Sequence, residues 1–202
     1  MPVTITFTQD SFRGRNDDGP EATATWKAPI NTNWAQRADI PFRIRFLVHR
    51  ESEGTSQNGS MDLYVSKNSG SFELISSIVD TSPVIDVASS TLEAQGTDTT
   101  QQLGSGTYLV ANSGVNNNNG EALTGTATWT NGILQEAEME YCLQIVRSRV
   151  SIGDTLEFRC RFNTIIFTGG YTNAPIITVD SDPQLSLKSG TVTLKGGTLK
   201  LK

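Results

Sequence analysis

Two runs late in the chain alternate strictly between apolar and polar side chains. In Glu138–Val146, Met139, Tyr141, Leu143 and Ile145 alternate with Glu138, Glu140, Cys142 and Gln144. In Asp154–Phe162, Leu156, Phe158, Cys160 and Phe162 alternate with Thr155, Glu157, Arg159 and Arg161. Successive side chains on a strand point to opposite sides, so each run predicts a strand with one apolar and one wetted face. Ser151-Ile152-Gly153 supplies a reversal between them, and the pattern predicts an antiparallel hairpin. One register that joins apolar face to apolar face sets Glu140 opposite Arg161 and Gln144 opposite Glu157.

The same alternation predicts a strand at Val3–Thr8, one at Ala22–Trp26 with Trp26 as a large core anchor, and one at Ile40–His49. In the last, Phe42, Ile44, Phe46 and Val48 face one way and Arg43, Arg45 and His49 the other. Further strands are predicted around Met61, Leu63 and Val65, at Phe72–Val79, Val84–Val87, Thr107–Ala111, Thr126–Trp129, Asn163–Phe167 and Ile176–Val179. Between them lie turn-forming clusters: Ser11–Pro20 with Asp18-Gly19, Glu51–Ser60, Asn68-Ser-Gly70, the polar stretch Ser89–Gly106 and the asparagine run Gly114–Gly120. No window keeps a helical period over three turns, and no apolar run has the roughly eighteen residues needed to cross a bilayer. The expected fold is all-β: an antiparallel β-sandwich, jelly-roll or immunoglobulin-like, over residues 1–182.

After Asp182-Pro183 the period changes. Leu185-Ser-Leu-Lys-Ser-Gly-Thr191, Val192-Thr-Leu-Lys-Gly-Gly-Thr198 and Leu199-Lys-Leu-Lys202 form a seven-residue repeat with a truncated third copy. A unit this small cannot bury its own leucines. Leu185, Leu187, Val192, Leu194, Leu199 and Leu201 must therefore stack on something else, and three arms winding together would bury all of them. Residues 183–202 are accordingly expected to form an intersubunit arm of a homotrimer.

Composition narrows the function classes. Of 202 residues, 36% are hydrophobic and the formal net charge is −5, against the clustered basic charge that nucleic-acid binding needs. The start Met1-Pro-Val-Thr-Ile lacks the basic and long apolar regions of a signal peptide, so synthesis in a cytosol is expected. Cys142 falls on the polar side of its run and Cys160 on the apolar side of its own, so the two are read as independent thiols.

Catalytic chemistry finds little support. The single histidine, His49, lacks the partners that a nucleophilic triad or a histidine metal site requires. Asn16, Asp17 and Asp18 offer oxygen ligands but lack the spacing of a calcium loop, and turn formation explains them. Asp80, Asp86, Asp180 and Asp182 flank strands without the pairing expected of a glycosidase. No enzyme activity, cofactor or metal is expected. Trp34 and Tyr171 sit among turn residues, where exposed aromatics could stack on sugar rings or meet a partner protein.

Two strings carry a resemblance. Arg13-Gly-Arg-Asn-Asp-Asp-Gly-Pro-Glu-Ala-Thr-Ala-Thr-Trp26 with Asn31-Thr-Asn33, and Glu138-Met-Glu-Tyr-Cys-Leu-Gln144 with Gly153-Asp-Thr-Leu-Glu-Phe-Arg159, resemble the two ends of a β-rich domain in virion structural proteins of tailed bacteriophages. The resemblance implies a β-sandwich on the phage particle, in head or tail, and brings no catalytic residues. The expected role is a capsid decoration or cement protein that bridges subunits of the major capsid protein or other virion proteins. A carbohydrate- or receptor-binding module of a tail fibre or baseplate is the alternative. Neither nucleic acid nor membrane is an expected partner.

Overall fold

The computed structural model describes residues 6–51, 57–75, 84–88, 90–109, 114–116, 126–129, 135–163 and 165–181, with backbone alone at 57–60, 114–116 and 126–129. The repeat arm, with Leu185, Leu187, Val192, Leu194, Leu199 and Leu201, lies outside the described residues, as do residues 3–5 of the strand expected at Val3–Thr8 and residues 76–79 of another.

The chain is all-β, two facing sheets with, among the described residues, a 3-10 turn at Arg147–Arg149. In chain order the strands are β1 (Phe7–Asn16), β2 (Trp34–Arg37), β3 (Phe42–Arg50), β4 (Gln57–Lys67), β5 (Glu73–Leu74), β6 (Ile85–Val87), β7 (Thr107–Tyr108), β8 (Gly114–Asn116), β9 (Thr126–Trp129), β10 (Gln135–Ile145), β11 (Thr155–Phe162), β12 (Gly170–Tyr171) and β13 (Ile176–Asp180). The first sheet runs β12-β1-β3-β10-β6, with β7 and β8 also on the far side of β10. The second runs β2-β13-β11-β4-β5, with β9 also on β4.

The alternation of β3 and β11 decides what lies between the sheets. Phe42, Ile44, Phe46 and Val48 from one, and Leu156, Phe158, Cys160 and Phe162 from the other, are buried against Leu63 and Val65 of β4 and Tyr141 and Leu143 of β10. Each large side chain removed from water contributes on the order of 1.5–3 kcal/mol. The Tyr141 hydroxyl crosses the core to donate to the Met61 carbonyl at 2.8 Å, which satisfies the one polar atom that ring carries into it.

The expected hairpin does not form. β10 pairs with β3 and β11 pairs with β4 and β13, so consecutive strands lie in opposite sheets. Glu140 stands opposite Arg45, and Arg161 opposite Asp62. Alternation fixes which face of each strand is apolar; it does not say whether two such faces lie side by side or across the core. The connection 146–154 is long enough to step across the roughly 10 Å between packed sheets.

Pairing is mixed and not wholly antiparallel. β1–β12, β10–β7, β10–β8 and β13–β2 are parallel. Strand β1 also runs on to Asn16, through residues expected to be turn, after a register shift between Gln9 and Ser11. The extra residue resets the alternation, which is how Phe7 and Phe12, at odd and even positions, both enter the core. Strand β4 begins at Gln57, inside the stretch expected to be loop, because β9 pairs with its first four residues. Ala22–Trp26 is not a strand: it turns at Pro20–Thr23 and touches β1 through one bridge, Arg15 to Trp26. Trp26 is half-buried on the outside of the first sheet, outside the core.

Candidate functional site

The largest concentration of charge in the described residues lies on the outer face of the first sheet. β3 places Arg43 and Arg45 on that face, β1 places Arg15 beside them, and β10 supplies Glu138 and Glu140. The sequence suggested a wetted surface. Instead Arg43, Arg45, Glu138 and Glu140 are 0% exposed and Arg15 is 2% exposed. Two segments, 17–28 and 90–104, fold over the face and hold it dry.

Glu140 is the hub. Its Oε2 accepts from Arg15 Nη1 at 3.1 Å and from Arg45 Nε at 2.8 Å, and its Oε1 accepts from Arg43 Nη1 at 3.2 Å. The covering segments then satisfy the remaining donors. Arg43 Nη2 donates to Asp17 at 2.5 Å and to the Gly19 carbonyl at 2.5 Å; Arg45 Nη2 donates to Glu21 at 2.8 Å and Arg45 Nη1 to the Thr100 carbonyl at 3.1 Å. Arg15 donates to the carbonyls of Ala24 and Glu21. Trp26 lies over Arg13 and Arg15, each 4.4 Å from its ring centre. Cation–π contacts of this kind contribute about 0.5–2 kcal/mol.

Carboxylates also fasten the second covering segment. Glu138 Oε1 accepts three successive backbone amides, Gln102 at 2.7 Å, Leu103 at 2.6 Å and Gly104 at 3.2 Å. Glu21 Oε1 accepts from Thr100 amide and hydroxyl and from Gln102 Nε2. Glu93 accepts from the Glu21 amide, and Ser90 donates to Asp17 at 2.8 Å. Burial opposes the Arg45 charge, but Glu140, Glu21 and Glu138 together raise its pKa above the ordinary arginine value. Burial pushes the Glu21 carboxyl up, and the donors from Arg45 and Thr100 outweigh it and hold the group below the ordinary value. At Glu138 burial wins over the three amides and the carboxyl is raised.

Among the described residues, each buried guanidinium of this cluster donates to carboxylates or carbonyls. Buried charges are tolerated when paired and hydrogen-bonded, and the result is a stiff clamp. Cys142, on the same face opposite Arg43, is fully buried, with its thiol pKa raised by desolvation. Cys160 is buried between the sheets, and both thiols are free, in keeping with the parity argument.

A smaller cluster surrounds His49, whose Nδ1 contacts Asp10 and whose Nε2 lies 3.6 Å from Glu51; the Thr8 hydroxyl donates to Glu51. Thr8 is bound to a carboxylate and not to the imidazole, so no hydroxyl–imidazole pair forms. Asp86 is exposed on β6 in the first sheet and Asp180 is exposed at the end of β13 in the second. Among the described residues no group of three or more His, Cys, Asp or Glu side chains could hold a metal ion. Asp80 and Asp182 lie outside them.

Trp34 opens β2 and does not stand in a loop. Its ring packs near Phe12 and Phe42, centres 6.4 Å away in each case, and a Cβ on Gly14 would come within 2.8 Å of it. Its indole Nε1 is buried without a partner. Tyr171 is half-buried on β12, stacked on Phe167 at 5.6 Å with its hydroxyl donating to the Cys160 carbonyl at 2.9 Å. The two rings are not brought together into one surface.

Sequence reasoning missed Glu21, Glu93, Thr100 and Gln102 as members of the clamp. The available signal was the pairing of two acidic strand residues, Glu138 and Glu140, with two arginines of another strand at the same spacing. No family model, curated protein or solved structure matches this chain.

Proposed function

We propose that this chain is a structural protein of a phage particle, a trimeric decoration or cement protein of the capsid. The observation that carries the reading is where the resembling segments lie. Arg13–Trp26 contributes Arg15, Asp17, Glu21 and Trp26 to the clamp, and Glu138–Gln144 contributes its floor. The residues that resemble phage virion proteins are thus those that stiffen the sandwich, which supports a structural role. A rigid, inert body with an apolar repeat arm suits adhesion: the loops and arms of neighbouring copies add buried area between capsid subunits.

The jelly-roll or immunoglobulin-like topology, the division at residue 182 and the trimer belong to the same proposal. So do assembly in the host cytoplasm and residence in the virion. The sugar-binding alternative gains nothing from Trp34 and Tyr171, whose rings are engaged in packing.

The test is binding of purified protein to empty, expanded capsids, together with its copy number in purified virions. Saturable binding and hundreds of copies per particle are expected. A handful of copies, or glycan-array binding that Trp34→Ala abolishes, would overturn the decoration reading in favour of a tail module.

A further inference from the structure

Lys27 and Asn16 are set against each other at the base of the first covering segment. Arg15 bridges Trp26, the Asn16 amide donates to the Thr25 carbonyl at 2.9 Å, and the Lys27 amide donates to the Gly14 carbonyl at 2.9 Å. Residues 14, 16, 25 and 27 therefore share one side of this short antiparallel pair, with Asn16 and Lys27 as diagonal neighbours. A long side chain spans that diagonal, and Lys27 Nζ donates to Asn16 Oδ1 at 2.6 Å. Both residues are half-buried.

Three features set this contact apart from an ordinary ammonium hydrogen bond. The first is the state of the amine. Its acceptor is an amide oxygen, which holds the proton on nitrogen less firmly than a carboxylate does. Burial lowers the Lys27 pKa below the ordinary lysine value, and the charge of Asp18 offsets this only in part. A desolvated lysine is an activated nucleophile. The second is the group that would leave. Asn16 Nδ2 donates to the Thr25 hydroxyl at 2.9 Å, and that hydroxyl donates to Asp18 Oδ2 at 2.5 Å. Asp18 Oδ1 also accepts from the Thr25 amide at 2.8 Å, and the Thr25 hydroxyl and amide hold the carboxyl below its ordinary value. The third is preorganisation. The backbone bonds on either side fix both reactants in one geometry, which removes most of the entropy cost of bringing them together.

We propose that Lys27 and Asn16 become joined by an intramolecular isopeptide bond, a covalent staple across the base of the covering segment. The neutral amine attacks Asn16 Cγ; a Cγ–Nζ bond forms and the Cγ–Nδ2 bond breaks. One proton passes from Nζ to Nδ2 by way of the Thr25 hydroxyl and the Asp18 carboxylate, and Nδ2 departs as ammonia. A secondary amide replaces a primary one, so no oxidant, reductant or cofactor is needed. The reaction runs once per chain, so a slow rate suffices. The staple closes the loop that carries Asp17, Glu21 and Trp26 onto the buried arginines. It stands or falls independently of the virion reading.

The test is the intact mass of the full-length purified protein, incubated at mildly alkaline pH, where more of the amine is neutral. Loss of the mass of one ammonia is expected, with Lys27 protected from trypsin. After cleavage by trypsin and by a glutamyl protease at Glu21, fragments 16–21 and 22–37 should remain joined. Lys27→Arg and Asn16→Ala should each keep the encoded mass and yield no joined fragments. Thr25→Val should slow bond formation by about tenfold or more, since it removes the hydroxyl beside the leaving nitrogen. Separable fragments in the wild-type protein would overturn the inference even where ammonia is lost, because a succinimide at Asn16-Asp17 gives that mass without joining them. An unchanged rate in Thr25→Val would overturn the proton route.

Discussion

Two strands of this protein carry the same five-residue pattern and meet opposite fates. Phe42-Arg43-Ile44-Arg45-Phe46 lies on β3, and Phe158-Arg159-Cys160-Arg161-Phe162 on β11. In both, the odd-turn apolar residues enter the core and the two arginines face outward from it. On β3 the arginines are sealed at 0% exposure and held by Glu140, Asp17 and Glu21. On β11 they remain partly exposed: Arg159 is ion-paired with Glu157 at 2.7 Å and lies 4.5 Å over the Phe72 ring, and Arg161 lies 3.8 Å over Tyr64. The local sequence determines the side of the strand; remote segments, 17–28 and 90–104, determine whether that side is dry. A surface arginine and a buried one are therefore written identically within the strand.

The comparison breaks most sharply at Glu140. Glu140→Ala leaves three buried guanidinium groups without their shared acceptor and should cost about 3–5 kcal/mol in chemical denaturation. Arg159→Ala removes a part-exposed pair with Glu157 and should cost about 1 kcal/mol or less in the same assay. Equal losses at the two sites would show that the clamp is not dry. Replacing the clamp's core as a unit, with Arg43, Arg45 and Glu140 all changed to apolar residues of similar volume, should recover much of the Glu140→Ala loss, because no charge is then left unpaired.

Acid sharpens the same contrast. Glu21 is held below its ordinary value, so its contribution to stability is complete above about pH 4.5 and is lost as pH falls through its folded-state pKa. Glu138 is raised, so burial of its charge counts against the fold at neutral pH and is relieved as it protonates. Urea denaturation as a function of pH should accordingly lose part of its decline below pH 4.5 in Glu21→Gln, while Glu138→Gln should shift stability little or slightly upward at neutral pH.

The two cysteines give the smallest effect and the finest resolution. Cys142 lies under the covering segment, its carbonyl bonded to the Ala88 amide at 3.0 Å, and Cys160 lies between the sheets. Neither should react with a thiol reagent in the resting fold. Under native exchange conditions Cys142 should be modified faster than Cys160, since peeling back a covering segment costs less than separating the sheets. Equal rates would mean that the segment opens only when the whole molecule does.

The strands were legible because alternation reports burial directly. Phe42, Ile44, Phe46 and Val48, and Leu156 to Phe162, point where their pattern says they do. Partners were not legible, since the parity argument that placed Cys142 and Cys160 on different faces is equally satisfied by strands in one sheet or two. The bulge at Gln9–Ser11 hid β1, because one extra residue turns a continuous strand into two fragments out of phase. The clamp was hidden for a different reason. The described part of the stretch expected to be polar loop, residues 90–106, is one; amides and hydroxyls within it are spent on buried carboxylates, a fact carried by contacts 34 to 36 residues distant for Glu138 and 79 to 81 for Glu21. Trp26 misled for its size. It covers arginines from outside and fills no space between the sheets.

The crossing from β10 to β11 has a consequence for how the chain is made. Because neighbouring strands in sequence sit in different sheets, β3 waits for β10, and Glu140 is translated 95 residues after Arg45. At typical synthesis speeds of about 5–20 residues per second, that interval lasts several seconds, longer than a strand needs to find a wrong partner. Two arginines on an apolar strand whose β10 edge is still open keep that edge solvated and repel wrong partners during the wait. An all-apolar clamp would thus be permissible in the finished molecule and hazardous in the unfinished one, and refolding yield of the triple variant, compared with its stability, measures that difference.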